Sequence, residues 1–288
     1  MCDTEALLPY TCRYENSRGE SIALDGAPIV VRDSELFDYG WKLTASDAAA
    51  GDGGRAVAAR RAVQDRTLML DVFADTQEAH NAALNRLHDV MDYDVEMLTP
   101  GKLWVNGQYI RCFAYASEKT LDRDWTRYTV VKLTLKVVSP AWTAEETVTV
   151  LPAEPLEQSG AYKQYDGKYP YRYTEESASY RFVNRSGGRV PMILKIFGPC
   201  HAPSVFVGGC EYGLTGDVAQ GAYAVIDQRD KSIVLVGADG TKSNYFAARK
   251  KSVDNFLGAP TGNLQITCSG AFACEVTFLT RRSEPKWI

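Results

Sequence analysis

The sequence is poor in the residues that most often carry chemistry. It holds only three histidines, His80, His88 and His201. No C-x-x-C pair, H-E-x-x-H, G-x-S-x-G elbow or Walker loop occurs. The usual signatures of zinc sites, nucleophile elbows and nucleotide-binding loops are therefore missing. No apolar run approaches the roughly 20 residues of a membrane-spanning helix. Excess positive charge is missing as well. The formal net charge is -4, which gives no general attraction for phosphate backbones and argues against specific nucleic-acid binding. The first ten residues include Asp3 and Glu5 and lack a basic start followed by an apolar stretch. They do not read as a secretory signal, so folding in a cytoplasm is expected. Seven cysteines in 288 residues are an odd count in a long chain, and free thiols are the expectation.

What is present is ordinary globular composition, 45% hydrophobic and 24% charged, enough to bury a core in two domains. The first half reads as strands around one helix. Asp25-Gly26 lies between apolar-alternating segments, as does Asn106-Gly107, and both are hairpin signals. Gly40 to Ala45 suggests a strand, and Thr67 to Phe73 alternates with Leu68, Leu70 and Val72 on one face. Ala48 to Gly54 is small and glycine-rich and reads as a mobile or partner-dependent loop. Asp75 with Glu78 suggests a capping box. Ala83, Leu84, Leu87, Val90 and Met91 then form a stripe at helical spacing, expected to pack on the domain's own sheets. Thr126 to Val138 alternates with Thr129, Val131, Leu133, Leu135 and Val137 inward, the pattern of an antiparallel sheet with one wet face. Ser139-Pro140-Ala141-Trp142 reads as the end of that strand.

Three segments are expected: 1–142 as a first domain, 143–176 as a tyrosine-rich linker or wrapping segment, and 177–288 as a second domain. Candidate strands in the last are Ser177 to Asn184, Met192 to Phe197, Ser204 to Val207, Ala222 to Ile226, Ser232 to Val236, Asn263 to Cys268 and Ala273 to Thr280. Short strands separated by turn signals suggest a β-sandwich.

Candidate chemistry is sparse. Cys200-His201 with Cys210 is the one local Cys/His grouping, and it falls short of a four-ligand zinc set. Glu145-Glu146 and Glu175-Glu176 are neighbouring acids, which point to opposite faces of a strand. Asn184-Arg185-Ser186 fits a glycosylation acceptor that a cytoplasmic product would not use. No catalytic, metal-binding or cofactor-binding residue is assigned, and no cofactor is expected.

The stretch Tyr14-Glu15-Asn16-Ser17-Arg18-Gly19-Glu20-Ser21-Ile22-Ala23-Leu24 resembles the opening of the distal tail (Dit) proteins of long-tailed bacterial viruses. In order after it come Gly51-Asp52-Gly53-Gly54, the run from Arg60 to Phe73, the helix, Gly101 to Ala114, and Val137-Val138-Ser139-Pro140-Ala141-Trp142. Phe182-Val183-Asn184, Gly187-Gly188, Pro191 to Ile196, Phe256-Leu257-Gly258 and Gly262 to Ile266 continue the similarity across nearly the whole chain. The resemblance implies a mainly β fold: an N-terminal β-sandwich or barrel akin to tail-tube subunits, carrying the one main helix, and a C-terminal galectin-like β-sandwich. It implies a non-enzymatic homohexameric ring at the distal tail of the virion, a baseplate hub. Such a ring would meet the tail tube protein, the tape-measure protein, the tail-tip or tail-associated lysin protein and, on its second domain, a receptor-binding protein. The expected assembly residues are Gly51, Asp52, Gly53, Gly54, Arg60 and Arg61, and Asp122, Arg123, Asp124 and Trp125, whose mixture of charge and aromatic suits an interface. A carbohydrate-binding tail or surface module, using Tyr162, Tyr165, Tyr169, Tyr171 and Tyr173, is the alternative. A tail-associated hydrolase is a third reading, with no acid–base constellation to support it.

Overall fold

The computed structural model describes residues 10–49, 52–121, 125–152, 180–269 and 272–287. These form a mainly β protein with one α-helix, in two compact units. Unit 1 comprises Met1–Ala144 with Arg281–Ile288, and unit 2 comprises Glu145–Thr280.

Unit 1 contains β1 (Cys12–Glu15), β2 (Ser21–Ala23), β3 (Asp25–Gly26), β4 (Ile29–Ser34), β5 (Lys42–Asp47), β6 (Gly54–Arg60), β7 (Gln64–Phe73), α1 (Gln77–Glu96), β8 (Gly101–Val105), β9 (Gln108–Leu121) and the first part of β10 (Tyr128–Val150). The antiparallel order is β3-β4-β7-β10-β9-β8-β1-β2. Leu24 joins the two ends of this sheet. Its N–H donates to the Cys12 carbonyl at 2.8 Å and its carbonyl accepts from Val31 N–H at 2.9 Å. The sheet therefore curls toward a barrel, which removes edges that would otherwise stay unpaired. The alternating faces foreseen for β7 and β10 fill its interior: Leu68, Leu70 and Val72 meet Val131, Leu133, Leu135 and Val137. Helix α1 packs on β2, β7 and β9 through Ala83, Leu87, Val90 and Met91. Its N-cap is Thr76, whose hydroxyl accepts from Ala79 N–H at 3.2 Å. The cap is thus one residue later than the Asp75 expected from sequence.

β10 does not stop at Ser139-Pro140. It shifts register against β9 between Val137 and Ser139 and again between Ser139 and Thr143, then runs on to Val150. Pro140 sits within the second of these shifts, where no ladder N–H is required of it. The proline marks an irregularity within the strand and not the end that Ser139-Pro140-Ala141-Trp142 suggests.

Unit 2 contains the rest of β10, then β11 (Tyr180–Asn184), β12 (Met192–Phe197), β13 (Cys200–His201), β14 (Ser204–Val207), β15 (Cys210–Gly213), β16 (Asp217–Val218), β17 (Tyr223–Asp227), β18 (Ser232–Val236), β19 (Lys242–Asn244), β20 (Gly262–Cys268) and β21 (Cys274–Arg282), which ends in unit 1. One sheet has the order β19-β18-β17-β12-β21-β10 and the other β11-β20-β14-β15. Inward residues of both, among them Leu194, Ile226, Val276 and Phe278 against Phe182, Val205 and Ile266, share one core. The Phe182 and Phe278 rings stack at 3.7 Å. Two antiparallel sheets over a common core make a β-sandwich. The β14–β15 turn, Gly208-Gly209, has φ of +55° and +80°, which glycine adopts without strain.

Candidate assembly surface

Strands β5 and β6 pair only with each other. Every residue of both is exposed. They form a two-stranded arm, with Lys42 opposite Arg60, Leu43 opposite Ala59 and Asp47 opposite Gly54, and one register shift between Thr44 and Ala45. An isolated two-stranded ribbon is marginal in water, and both its outer edges offer unpaired backbone groups. The arm carries apolar side chains without a core to bury them. Leu43 is 68% and Val57 65% exposed, and Tyr39, Trp41 and Val63 beside its root are exposed as well.

The root is anchored in three ways. Arg66, buried on β7, donates to the carbonyls of Glu35 (3.0 Å), Leu36 (2.7 Å) and Asp38 (2.6 Å) and fixes the segment that leads into β5. Arg61 lies over the Trp41 ring at 4.2 Å and donates to Ser283 Oγ at 3.1 Å. Trp41 Nε1 donates to the same Ser283 oxygen at 3.3 Å. Burial, with Arg281 nearby, holds the Arg61 pKa below the usual guanidinium range. Third, the segment after β21 belongs to unit 1. Asn106 Nδ2 donates to the Lys286 carbonyl (2.7 Å), Lys286 N–H donates to Gln108 Oε1 (3.0 Å), and Trp287 stacks on Phe37 at 4.2 Å.

Several of the expected assembly residues therefore gather in one place. Asp52, Gly53 and Gly54 form the tip side of the arm, with Gly53 at φ +100°. A Cβ on Gly54 would stand 2.6 Å from the Ser46 carbonyl. Arg60 ends β6, and Arg61 locks its base. Among the described residues, neither Lys42 nor Arg60 makes an ion pair. Gly51, Asp122, Arg123 and Asp124 lie outside the described residues. Trp125, 54% exposed, belongs to the separate β9–β10 turn. Sequence reasoning missed Tyr39, Trp41, Leu43, Val57 and Val63. The one usable signal was Tyr39-Gly40-Trp41, two aromatics ahead of a polar strand.

Elsewhere unit 1 has a groove of about 190 Å³ between α1 and β9, lined by His88, Met91, Asp92, Val95, Glu96 and Tyr115 among others. Unit 2 has an open hollow of about 420 Å³ beside β18 and β19, with Phe246 at its rim under the Arg249 guanidinium at 4.4 Å. The tyrosines from Tyr162 to Tyr173 lie outside the described residues. The Cys/His grouping does not converge: His201 Nδ1 bonds Asp217, while Cys210 accepts from Arg189 at 3.8 Å. Among the described residues no group of three or more His, Cys, Asp or Glu side chains is arranged to hold a metal ion. No described helix is long and apolar enough to cross a membrane. Asn184 is buried, donating to the Gly188 and Pro260 carbonyls and accepting from Ser186 N–H, so its amide holds a turn.

No protein-family model matches the chain. No curated protein sequence matches it either. Solved structures do. The Dit protein of phage SPP1, described as a paradigm of the hub adsorption apparatus in phages infecting Gram-positive bacteria, aligns with a TM-score of 0.57 at 12% identity, over 95% of this chain and 99% of that one. A chain of the phage P2 baseplate in its activated conformation with Ca aligns with a TM-score of 0.66 at 10% identity, over 96% and 99%. The strontium form gives 0.65 at 11% identity over the same shares. The resemblance to distal tail proteins thus holds for the fold, along nearly the full length, and this chain has the mainly β fold of phage distal-tail and baseplate proteins.

Proposed function

We propose that the protein is a structural, non-enzymatic subunit of the distal tail of a long-tailed bacterial virus or prophage. Six copies close head to tail into a hub ring. Unit 1 forms the ring, between the tail tube protein and the tail-tip or tail-associated lysin protein, around a channel for the tape-measure protein and the genome. Unit 2 offers the attachment surface for a receptor-binding protein. The observation that supports this most is the exposed β5–β6 arm on a chain with the hub-protein fold. Ordering each arm residue costs about 1–2 kcal/mol of backbone entropy, and the arm buries no side chain in its own subunit to offset that. A heterologous contact with the next copy would supply the burial, and repetition of such a contact around an axis closes a ring. The basic root, Lys42 opposite Arg60, fits an acidic neighbour. The groove bearing Asp92 and Glu96 is one such surface on this same chain.

The test is a variant in which residues 43–59 are replaced by a short Gly-Ser link. It should keep the thermal unfolding of the intact chain, since no core residue is lost, and sediment as a single chain. An armless protein that still assembles into rings would contradict the role given to the arm.

A further inference from the structure

Two sulfurs in unit 2 lie close to bonding range. Cys268 ends β20 and Cys274 opens β21, and their Sγ atoms are 3.3 Å apart. Each is held by a different sheet. Cys268 stands opposite Val205 on β14. The next residue, Ser269, donates its N–H to the Ser204 carbonyl at 2.9 Å and accepts from Ser204 N–H at 3.0 Å. Cys274 stands opposite Ile196 on β12, and the carbonyl of Ala273 accepts from Phe197 N–H at 3.0 Å. Two ladders therefore position the pair, independently of the turn between them. A disulfide has an S–S distance of about 2.0 Å, so closure needs an approach of roughly 1.3 Å, within the scale of side-chain rotation.

Access and acidity differ between the two. Cys268 is partly exposed and Cys274 is fully buried. The contact between the thiols lowers the pKa of Cys268 and raises that of Cys274. A partly exposed thiol of lowered pKa is the one an oxidant meets first. Cys12 and Cys112 are by contrast buried in unit 1, and burial pushes each up to about 12.

We propose that Cys268 and Cys274 form a redox-closable pair, two thiols in a reducing compartment and one disulfide after exposure to a low-molecular-weight disulfide. The Cys268 thiolate attacks one sulfur of oxidised glutathione. That S–S bond breaks, and the first glutathione leaves and takes up a proton. Cys274, having lost its proton to solvent, then attacks the Cys268 sulfur of the mixed disulfide and releases the second glutathione. Two protein thiols are oxidised to a disulfide, and one glutathione disulfide is reduced to two thiols. The product ties the two sheets of the sandwich together across a closed loop and restricts the unfolded chain.

The test uses the full-length protein, incubated with oxidised glutathione, alkylated, digested with trypsin and weighed by mass spectrometry. Both cysteines fall in one tryptic peptide, Ser252 to Arg281. The expected peptide carries no alkyl group and is lighter by two hydrogens than its reduced form. The Tm of the oxidised protein rises by about 4–8 °C, and a reductant reverses both changes. Cys268→Ser, at the more exposed position, abolishes both. Comparison of the oxidised and reduced wild-type protein needs no variant at all. Two alkyl groups on that peptide after oxidation, a glutathione adduct on Cys268 that persists, or a link from either cysteine to a third would each overturn the proposal.

Discussion

Asp94 is fully buried on α1, and its two oxygens accept from the Tyr14 hydroxyl (2.6 Å) and the Ser17 N–H (2.7 Å). Among the described residues no cation pairs with it. The carboxyl therefore depends on those two donors, and they fasten the helix to the segment after β1. Tyr14→Phe leaves a buried oxygen unsatisfied and should cost about 1–3 kcal/mol in urea unfolding. Gly101→Ala should cost at least as much, because a Cβ there would overlap both the Asp94 carboxyl and the Tyr14 hydroxyl. Tyr14 stood in the stretch that resembles distal tail proteins, but its partner lies 80 residues away, a separation that no local pattern reveals. A second site links stability to pH. Burial raises the Asp227 pKa, yet the hydrogen bonds from Arg229 (2.6 Å for the shortest) outweigh it and leave the carboxyl below its ordinary range. The folded pKa is depressed, so the contribution is complete above the ordinary carboxylate range near about pH 4. It is lost as pH falls through the folded value. Wild-type protein should thus be more stable than Asp227→Asn at neutral pH, and the gap should narrow on acidification. A gap independent of pH in denaturant melts would refute the linkage.

At the scale of elements, legibility in the sequence followed burial. Strands β12, β14 and β18 were read with their observed bounds, because each alternates over a buried face and ends at a turn signal. Helix α1 was legible for the same reason, through its stripe from Ala83 to Met91. β6 was missed, since Gly54–Arg60 is exposed on both sides and nothing imposes a period on its side chains. Of the loop expected from Ala48 to Gly54, Ala50 and Gly51 lie outside the described residues, and Gly54 begins β6. β10 was cut short at Pro140 because register shifts leave little trace in composition. Two outcomes test the elements themselves. Thr76→Ala removes the α1 cap and should destabilise unit 1 by about 1 kcal/mol. Arg66→Ala strips the shared donor from the carbonyls of Glu35, Leu36 and Asp38. It should cost about 2–4 kcal/mol and make the 35–41 segment the first to exchange its amide hydrogens.

At the scale of the whole molecule, the proposed role is assembly, and the exposed arm on a hub-protein fold is what supports it. In the proposed ring the basic root of the arm would add an electrostatic contact, and contacts between exposed charges are screened within about 8 Å at physiological ionic strength. Self-association should therefore weaken as salt is raised, and Lys42→Glu with Arg60→Glu should weaken it further without lowering the Tm of the single chain. The proposed assembly is a closed six-membered ring. Light scattering over a concentration series, with negative-stain images of the same sample, tests it most directly. Six copies of the 31.8 kDa chain give a mass of about 191 kDa, and the closed ring should show that mass together with a six-fold outline around a central hole. A protein that stays at 31.8 kDa at high concentration, and still does so with the tail tube and tail-tip proteins added, would contradict it.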